Sequence, residues 1–301
     1  VMVATIASFE NAEGGEARDH FRGAGGDNSF SGGGHDDLFI WEGGSDTYDG
    51  GAGRDGIDFS LSATGVTFDL QLAVNPIGGG QIEAMSVENL IGSQAVDHLM
   101  GNAADNHLAT GGDGLQDGGA DTLEGRGGND TYELWNSGAA VIEHAGDGDD
   151  TVISHVDWTM SDHLERLELA GSENLRATGN STDNTITGNM GANVIDGGGG
   201  ADVMRGGDGD DVYFVDDAAD VIVEMAGEGS DTVYSAITLT VPVNTEVLIL
   251  SGTSNIDATG TSERDIIVGN AGENTINGAG GFDVMQGGAG NDTYAVDNSL
   301  D

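Results

Sequence analysis

Residues 50–58 read GGAGRDGID, with three glycines and an aspartate inside six residues, followed by one apolar side chain. Four windows upstream keep the same nine-residue phase: GGEARDHFR from Gly14, GAGGDNSFS from Gly23, GGGHDDLFI from Gly32 and WEGGSDTYD from Trp41. The sixth place holds Asp19, Asn28, Asp37, Asp46 and Asp55, and the eighth holds Phe21, Phe30, Phe39, Tyr48 and Ile57. An acidic or amide group and a core-type side chain recur together, two places apart.

The register returns from Gly92 and Gly101 and then, after the slip TGGDGL, from Gln116 and Gly125. It runs unbroken from Gly179 through Phe214 and from Gly260 through Ala295. A longer period is superimposed, nine nonapeptides in length: residues 134–214 align with 215–295 without a gap, VIEHAGDGDDTV matching IVEMAGEGSDTV. Repeats of fixed period predict a solenoid, in which each unit buries its apolar face against its neighbours. The expected organisation is a region 1–133 with nonapeptide blocks at 14–58 and 92–133 joined by a β-rich segment 59–91. Super-repeat copies follow at 134–214 and 215–295, and a further repeat opens at 296–301. Asp301 is the sixth residue of that last unit, so a fragment of a longer protein is expected.

Fifty-three acidic residues against eight basic ones give a formal charge of −45, and every basic residue is arginine. Such a surface repels nucleic acid and anionic membranes and favours cations as partners. Fifty-four glycines without a collagen period exclude a triple helix, and the spaced apolar residues argue against permanent disorder. The absence of cysteine excludes disulfides, thiolate zinc sites and cysteine nucleophiles. No apolar run is long enough for a membrane span, and VMVATIASFE lacks the basic start of a signal peptide.

The unit GGxGxDxUx, with U a large apolar residue, has a direct physical reading. Glycines at the first, second and fourth places permit positive φ and a turn whose carbonyls converge, and the aspartate adds a hard anionic oxygen. The last three residues form a short strand that sends U inward. Two nonapeptides, one per side, complete a coil, so the turns of alternate units stack. Asp37 then approaches Asp55, Asp202 approaches Asp220, and Asp211 approaches Asp231. Stacked carboxylates repel unless a cation lies between them, and flexible all-oxygen coordination favours Ca²⁺ over Mg²⁺.

These residues resemble the repeats-in-toxin (RTX, hemolysin-type) calcium-binding proteins. The resemblance implies an all-β fold, a parallel β-roll or β-helix solenoid with several Ca²⁺ ions in the GGxGxD turns, type I secretion from a Gram-negative-type bacterium, and folding outside the cell. It assigns ligand roles to Asp19, Asp37, Asp46, Asp55, Asp97, Asp121, Asp130, Asp202, Asp211, Asp265, Asp283 and Asp292, joined by Asp150, Asp220 and Asp231. Carbonyls of Gly51, Gly53, Gly198, Gly200, Gly207, Gly209, Gly288 and Gly290 complete the implied sites. Asn28, Asn106, Asn184, Asn193 and Asn274 replace the aspartate and are weaker ligands, so those turns are expected to carry an amide ladder instead of an ion. Asp220 corresponds to Ala139, so one site of the later copy should be missing from the earlier one.

Between the blocks, residues 59–91, 151–178 and 232–259 alternate apolar and polar positions, as in VTFDLQL and TEVLILSG, and are expected to form wider coils without calcium. SDHLERLELA also fits helical spacing, but its tandem partner VNTEVLILSG is β-rich and favours a strand. His20, His98 and His107 fall at outward strand positions and suit solvated histidines better than zinc ligands. Glu143 and Glu224 read equally as extra calcium ligands or as a solvated acidic edge. Trp41, Trp135 and Trp158 occupy unrelated repeat positions and suit packing better than a sugar platform. No GxSxG elbow, cysteine or lysine offers a nucleophile, so the expectation is not an enzyme. A structural segment of a secreted or cell-surface protein is the favoured reading, with like subunits or extracellular polysaccharide as further partners. An accessory region of a secreted lipase, metalloprotease or alginate epimerase is the alternative.

Overall fold

The computed structural model describes residues 4–7, 10–111 and 119–296. The slip at 112–115, the start of the unit at Gln116 and most of the unit opened at Val296 lie outside them. The described residues form β-strands and no helix, and nearly every strand pairing is parallel. Two compact units, Val1–Val156 and Asp157–Asp301, are each a β-solenoid.

In the first unit one face is built from Asp19–Arg22, Leu38–Ile40, Gly56–Asp58, Asn89–Ile91, His107–Ala109, Thr131–Leu134 and Thr151–Ser154 in sequence order. The facing strands include Ser29–Gly34 and Asp46–Ala52, and then His98–Met100, Thr122–Glu124 and Ala140–Ile142. Phe21 lies opposite Phe39 and Phe39 opposite Ile57, each pair two nonapeptides apart, which is the coil length read from the sequence. In the second unit the same offset sets Ile186 opposite Met204 and Ile195 opposite Tyr213.

Within each unit the eighth-position side chains from both faces fill a core. Phe21, Phe39, Ile57, Ile186, Ile195, Met204 and Tyr213 are fully buried. Phe39 stacks on Tyr48 of the facing strand with ring centroids 5.0 Å apart and planes 8° from parallel, and on Phe21 at 5.2 Å. The period of two sends these residues in and their neighbours out, and stacked aromatic pairs strengthen the packing beyond area burial.

The linking segments depart in part from expectation. Residues 59–91 do form a wide coil: Ile57 pairs with Leu90, well beyond the two-nonapeptide spacing, and the loop folds back on itself through an antiparallel pair, Asn75–Ile77 with Gly80–Met85. In the segment 232–259, by contrast, Val233 pairs with Leu248, closer in sequence than two nonapeptides. That coil is narrower because it lacks the glycine turns and reverses at a tight corner, where Asn244 has φ 64° and Thr245 bonds Pro242. SDHLERLELA contains the strand Arg166–Leu169, entered through His163 at φ 68°, the position equivalent to Asn244. Trp41 and Trp158 are buried, Trp41 packing edge-on against Phe59 at 6.0 Å.

Replacing Met204 by Ala is expected to destabilise the second unit by about 2–5 kcal/mol, the cost of truncating a fully buried large side chain. Met204→Asp should abolish its folding. Met190→Asp, at a site 64 % exposed, should be tolerated. Denaturant unfolding in saturating calcium measures all three.

Candidate metal centre

Each sixth-position residue sits at the end of a turn, directly before a strand of the core. At many of the aspartates the carboxylate oxygen Oδ1 accepts the backbone N–H of the sixth-position residue one coil earlier. Asp19 donates to Asp37 at 2.7 Å, Asp37 to Asp55 at 2.7 Å, Asn184 to Asp202 at 2.8 Å and Asp211 to Asp231 at 2.8 Å. Asp202 N–H reaches Asp220 at 3.1 Å, Asp130 N–H reaches Asp150 at 2.7 Å, and Asn274 N–H reaches Asp292 at 3.0 Å. Stacking of alternate turns is thus observed, and a column of carboxylates runs along the coil.

The second oxygen separates the turns into two kinds. Oδ2 of Asp37, Asp55, Asp130, Asp202 and Asp211 is buried and accepts no hydrogen bond. Where asparagine takes the same place, its Nδ2 donates to a backbone carbonyl: Asn28 to Ala24 of its own turn at 3.0 Å, and Asn184 and Asn274 to the preceding coil, at Leu164 (3.0 Å) and Ile256 (2.6 Å). Such an amide is paired by protein groups alone. A carboxylate of the same shape brings an oxygen to where a donor is needed, and a buried acceptor without a partner is costly unless a cation meets it.

Several aspartates are satisfied by protein donors instead. Tyr48 donates its hydroxyl to Oδ2 of Asp46 at 2.9 Å. Ser93 offers its backbone N–H and hydroxyl to Asp97, Thr261 does the same for Asp265, and Gly15 N–H bonds Asp19. Asp220 accepts from the backbones of Asp216 and Asp217 at 3.2 and 3.1 Å. Asn136 Nδ2 lies 3.3 Å from Oδ2 of Asp121, the counterpart of Asp202 one super-repeat earlier, so the two copies differ at this turn.

Glycine has two separate roles in the turns. Gly51, Gly53, Gly198, Gly200, Gly207, Gly209, Gly288 and Gly290, at the second and fourth places, all have φ between 82° and 153°. The first-position glycines do not use positive φ, contrary to expectation. A Cβ on Gly206 would lie 2.0 Å from Oδ2 of Asp211, and one on Gly32 2.1 Å from Oδ2 of Asp37, so these glycines leave room for the carboxylate.

The electrostatics follow the geometry. Burial, followed by neighbouring carboxylates such as Asp37 and Glu88, pushes the Asp55 carboxyl up to about 6. Burial likewise raises Asp130 and Asp211 to about 7, and Asp202 and Asp231 to about 6. Glu143 and Glu224 are only 7 % exposed and are pushed up to about 8, chiefly by burial. They are not a solvated acidic edge: each turns inward and accepts a hydrogen bond from a buried phenol, Tyr132 and Tyr213 respectively. His20, His98 and His107 lie on the outer strand face, where His107 pairs with Glu133 at 3.5 Å and His98 approaches Glu124 at 4.0 Å. Trp135 stacks on His155.

The family description "RTX calcium-binding nonapeptide repeat" matches four times, at residues 13–40, 117–134, 178–213 and 259–294. The chain carries RTX calcium-binding nonapeptide repeats. Calcium is the ion that these turns bind, and the unpartnered Oδ2 atoms fit a hard cation. The matches agree to within one residue with parts of the blocks read from the periodicity, and between them lie Trp41-Glu42 in place of a glycine pair, the in-phase unit 50–58 and the alternating strands. Among curated proteins none matches the chain.

The amide–carboxylate contrast makes a sharp expectation. Asp202→Asn should close its RTX turn without an ion, lowering the calcium stoichiometry while leaving the β-content in calcium unchanged. Asp202→Ala should lose both the ion and the bond to Asn184 N–H, and unfold at lower denaturant than Asp202→Asn. Isothermal titration and denaturant unfolding read the two effects.

Proposed function

We propose that this chain is a calcium-rigidified structural segment of an extracellular or cell-surface protein exported by a type I pathway, and that it folds only once calcium is available. The observation that carries this reading is the set of buried carboxylate oxygens at Asp37, Asp55, Asp130, Asp202 and Asp211 that no protein donor meets. With a formal charge of −45, self-repulsion expands the calcium-free chain. Calcium binds the folded turns and finds no preformed site in the unfolded chain, so binding free energy becomes folding free energy. Extracellular modules bind calcium in the range of about 10⁻⁴–10⁻³ M, well above cytoplasmic free calcium, which keeps the chain extended for export and folds it outside.

Among the proposed ligands, Asp37, Asp55, Asp130, Asp202 and Asp211 bind through Oδ2, with turn carbonyls such as those of Gly51, Gly53, Gly198, Gly200, Gly207, Gly209, Gly288 and Gly290 completing the coordination. Asp46, Asp97 and Asp265, already held by Tyr48, Ser93 and Thr261, serve as hydrogen-bonded turn closers.

Far-UV circular dichroism of chelated protein during a calcium titration tests the reading: a cooperative gain of β-signal near millimolar calcium is expected, with magnesium much less effective. β-structure that persists unchanged in chelator would overturn it. The pH dependence has a defined sign. In the ion-free fold Asp55, Asp130, Asp202, Asp211, Glu143 and Glu224 keep protons up to pH of about 6–8, against ordinary values of 3.8 and 4.5 when unfolded. Between pH of about 4 and 8 the ion-free fold therefore binds more protons than the unfolded chain, and its stability falls as pH rises. Acidifying chelated protein from about pH 8 to pH 5 should raise its β-signal. The calcium midpoint should move to higher concentration at the same time, because protons and calcium compete for the same oxygens.

A further inference from the structure

Two places in the chain gather more negative charge than a stacked pair of RTX aspartates supplies. In the first unit ligand atoms of Asp130, Glu143 and Asp150 all lie within 4.8 Å of one another, and in the second those of Asp211, Glu224 and Asp231 do the same. Every member is buried. The two clusters are one super-repeat apart, position for position.

The glutamate comes from outside the nonapeptides. Glu143 directly follows the strand Ala140–Ile142, and Glu224 lies just beyond Val221–Ile222, where the chain leaves one face for the acidic loops GDGDD and GEGSD. The aspartates belong to the opposite face, one coil apart. Tyr132 pairs with Val152 and Tyr213 with Val233, so this coil is slightly longer than the two nonapeptides that separate Phe39 from Ile57. Each cluster joins a glycine turn to the segment that follows it.

Hydrogen bonding leaves one oxygen of the key members pointing at the centre. Asp130 and Asp211 each accept a backbone N–H on Oδ1, from Asn106 and Asn193, both at 2.6 Å, and neither has a partner on Oδ2. Glu143 and Glu224, more than nine-tenths buried, accept the tyrosine hydroxyl on Oε1, and their Oε2 has no partner. The phenol fixes the glutamate and turns the other oxygen inward. First-position glycine admits both groups: a Cβ on Gly125 would lie 2.1 Å from Asp130 Oδ2 and 2.2 Å from the Tyr132 hydroxyl, and Gly206 is equivalent.

We infer that Asp130, Glu143 and Asp150, and again Asp211, Glu224 and Asp231, form two three-carboxylate cation sites in which a glutamate joins the turn aspartate, and that calcium fills them before the turns that have aspartates alone. Three carboxylates attract a hard cation more strongly than two, and an additional anionic ligand raises affinity at an oxygen site. Filled, the sites fix the corner between glycine turn and linking strand once per super-repeat, which makes them starting points from which coils add on either side. The inference rests on the calcium-folding reading, but fails separately from it.

Terbium, a trivalent stand-in for calcium, reports the sites through Tyr132 and Tyr213, which touch the glutamate ligands. Full-length chain with Glu143→Gln and Glu224→Gln, folded in excess calcium, should bind two fewer calcium ions by equilibrium dialysis. It should also lose the tightest phase of tyrosine-sensitised terbium emission. Tyr132→Phe with Tyr213→Phe should keep the ion count and lose that emission. An unchanged ion count and tight phase in the glutamine variant would overturn the inference. If that variant does not fold, undiminished early emission from the phenylalanine variant would overturn it instead. A wild-type chain that binds no calcium at all would refute the calcium-folding reading itself.

Discussion

The whole structure depends on one buried oxygen. A carboxylate at the end of each glycine turn spends Oδ1 on the coil before it, and at Asp37, Asp55, Asp130, Asp202 and Asp211 the other oxygen finds no donor. Asparagine in the same place donates to a backbone carbonyl, Asn28 to one in its own turn and Asn184 to one on the preceding coil, and requires nothing further. The difference between an NH₂ group and an O⁻ at one position divides the coils into those complete as protein and those that require a cation.

The rest of the chain is consistent with that division. The core is a narrow column of eighth-position side chains, with Phe39 against Tyr48 and Ile195 against Tyr213, bounded mostly by strands of three or four residues. Such short strands bury little apolar area per ordered residue, and the conformational entropy of ordering them is large. A surface with 53 acidic and eight basic residues adds self-repulsion. Calcium held in the turns would relieve both terms at once, neutralising the turns while fixing their geometry, and the proposed folding on calcium binding rests on that balance.

The fold was legible in the sequence because one spacing encodes it. An acidic or amide residue, with an apolar residue two places later, recurs in every nonapeptide and determines turn, strand, inward face and two-unit coil together. The site was legible only in outline. Treating every sixth-position aspartate alike hid the fact that second-position Ser93 and Thr261 satisfy Asp97 and Asp265 from within the turn, although the replacement of glycine there was a visible signal. The first-position glycine was misread as a φ requirement, because its real constraint, the approach of the aspartate that closes the same unit, exists only in three dimensions. Glu143 and Glu224 were visible as an acidic pair in register. Their burial against Tyr132 and Tyr213 depends on how the linking segment crosses the core, which no nonapeptide spacing specifies. The narrow coil from Val233 to Leu248 escaped for the same reason, since alternation shows a strand but not the length of the path back to it.

Anomalous scattering from crystals grown in calcium tests the central claim most directly, because it locates ions without reference to fold stability. The account predicts peaks beside Oδ2 of Asp37, Asp55, Asp130, Asp202 and Asp211, and none in the turns closed by Asn28, Asn184, Asn193 and Asn274. Peaks of equal height in the asparagine turns, or none beside the unpartnered carboxylates, would contradict it.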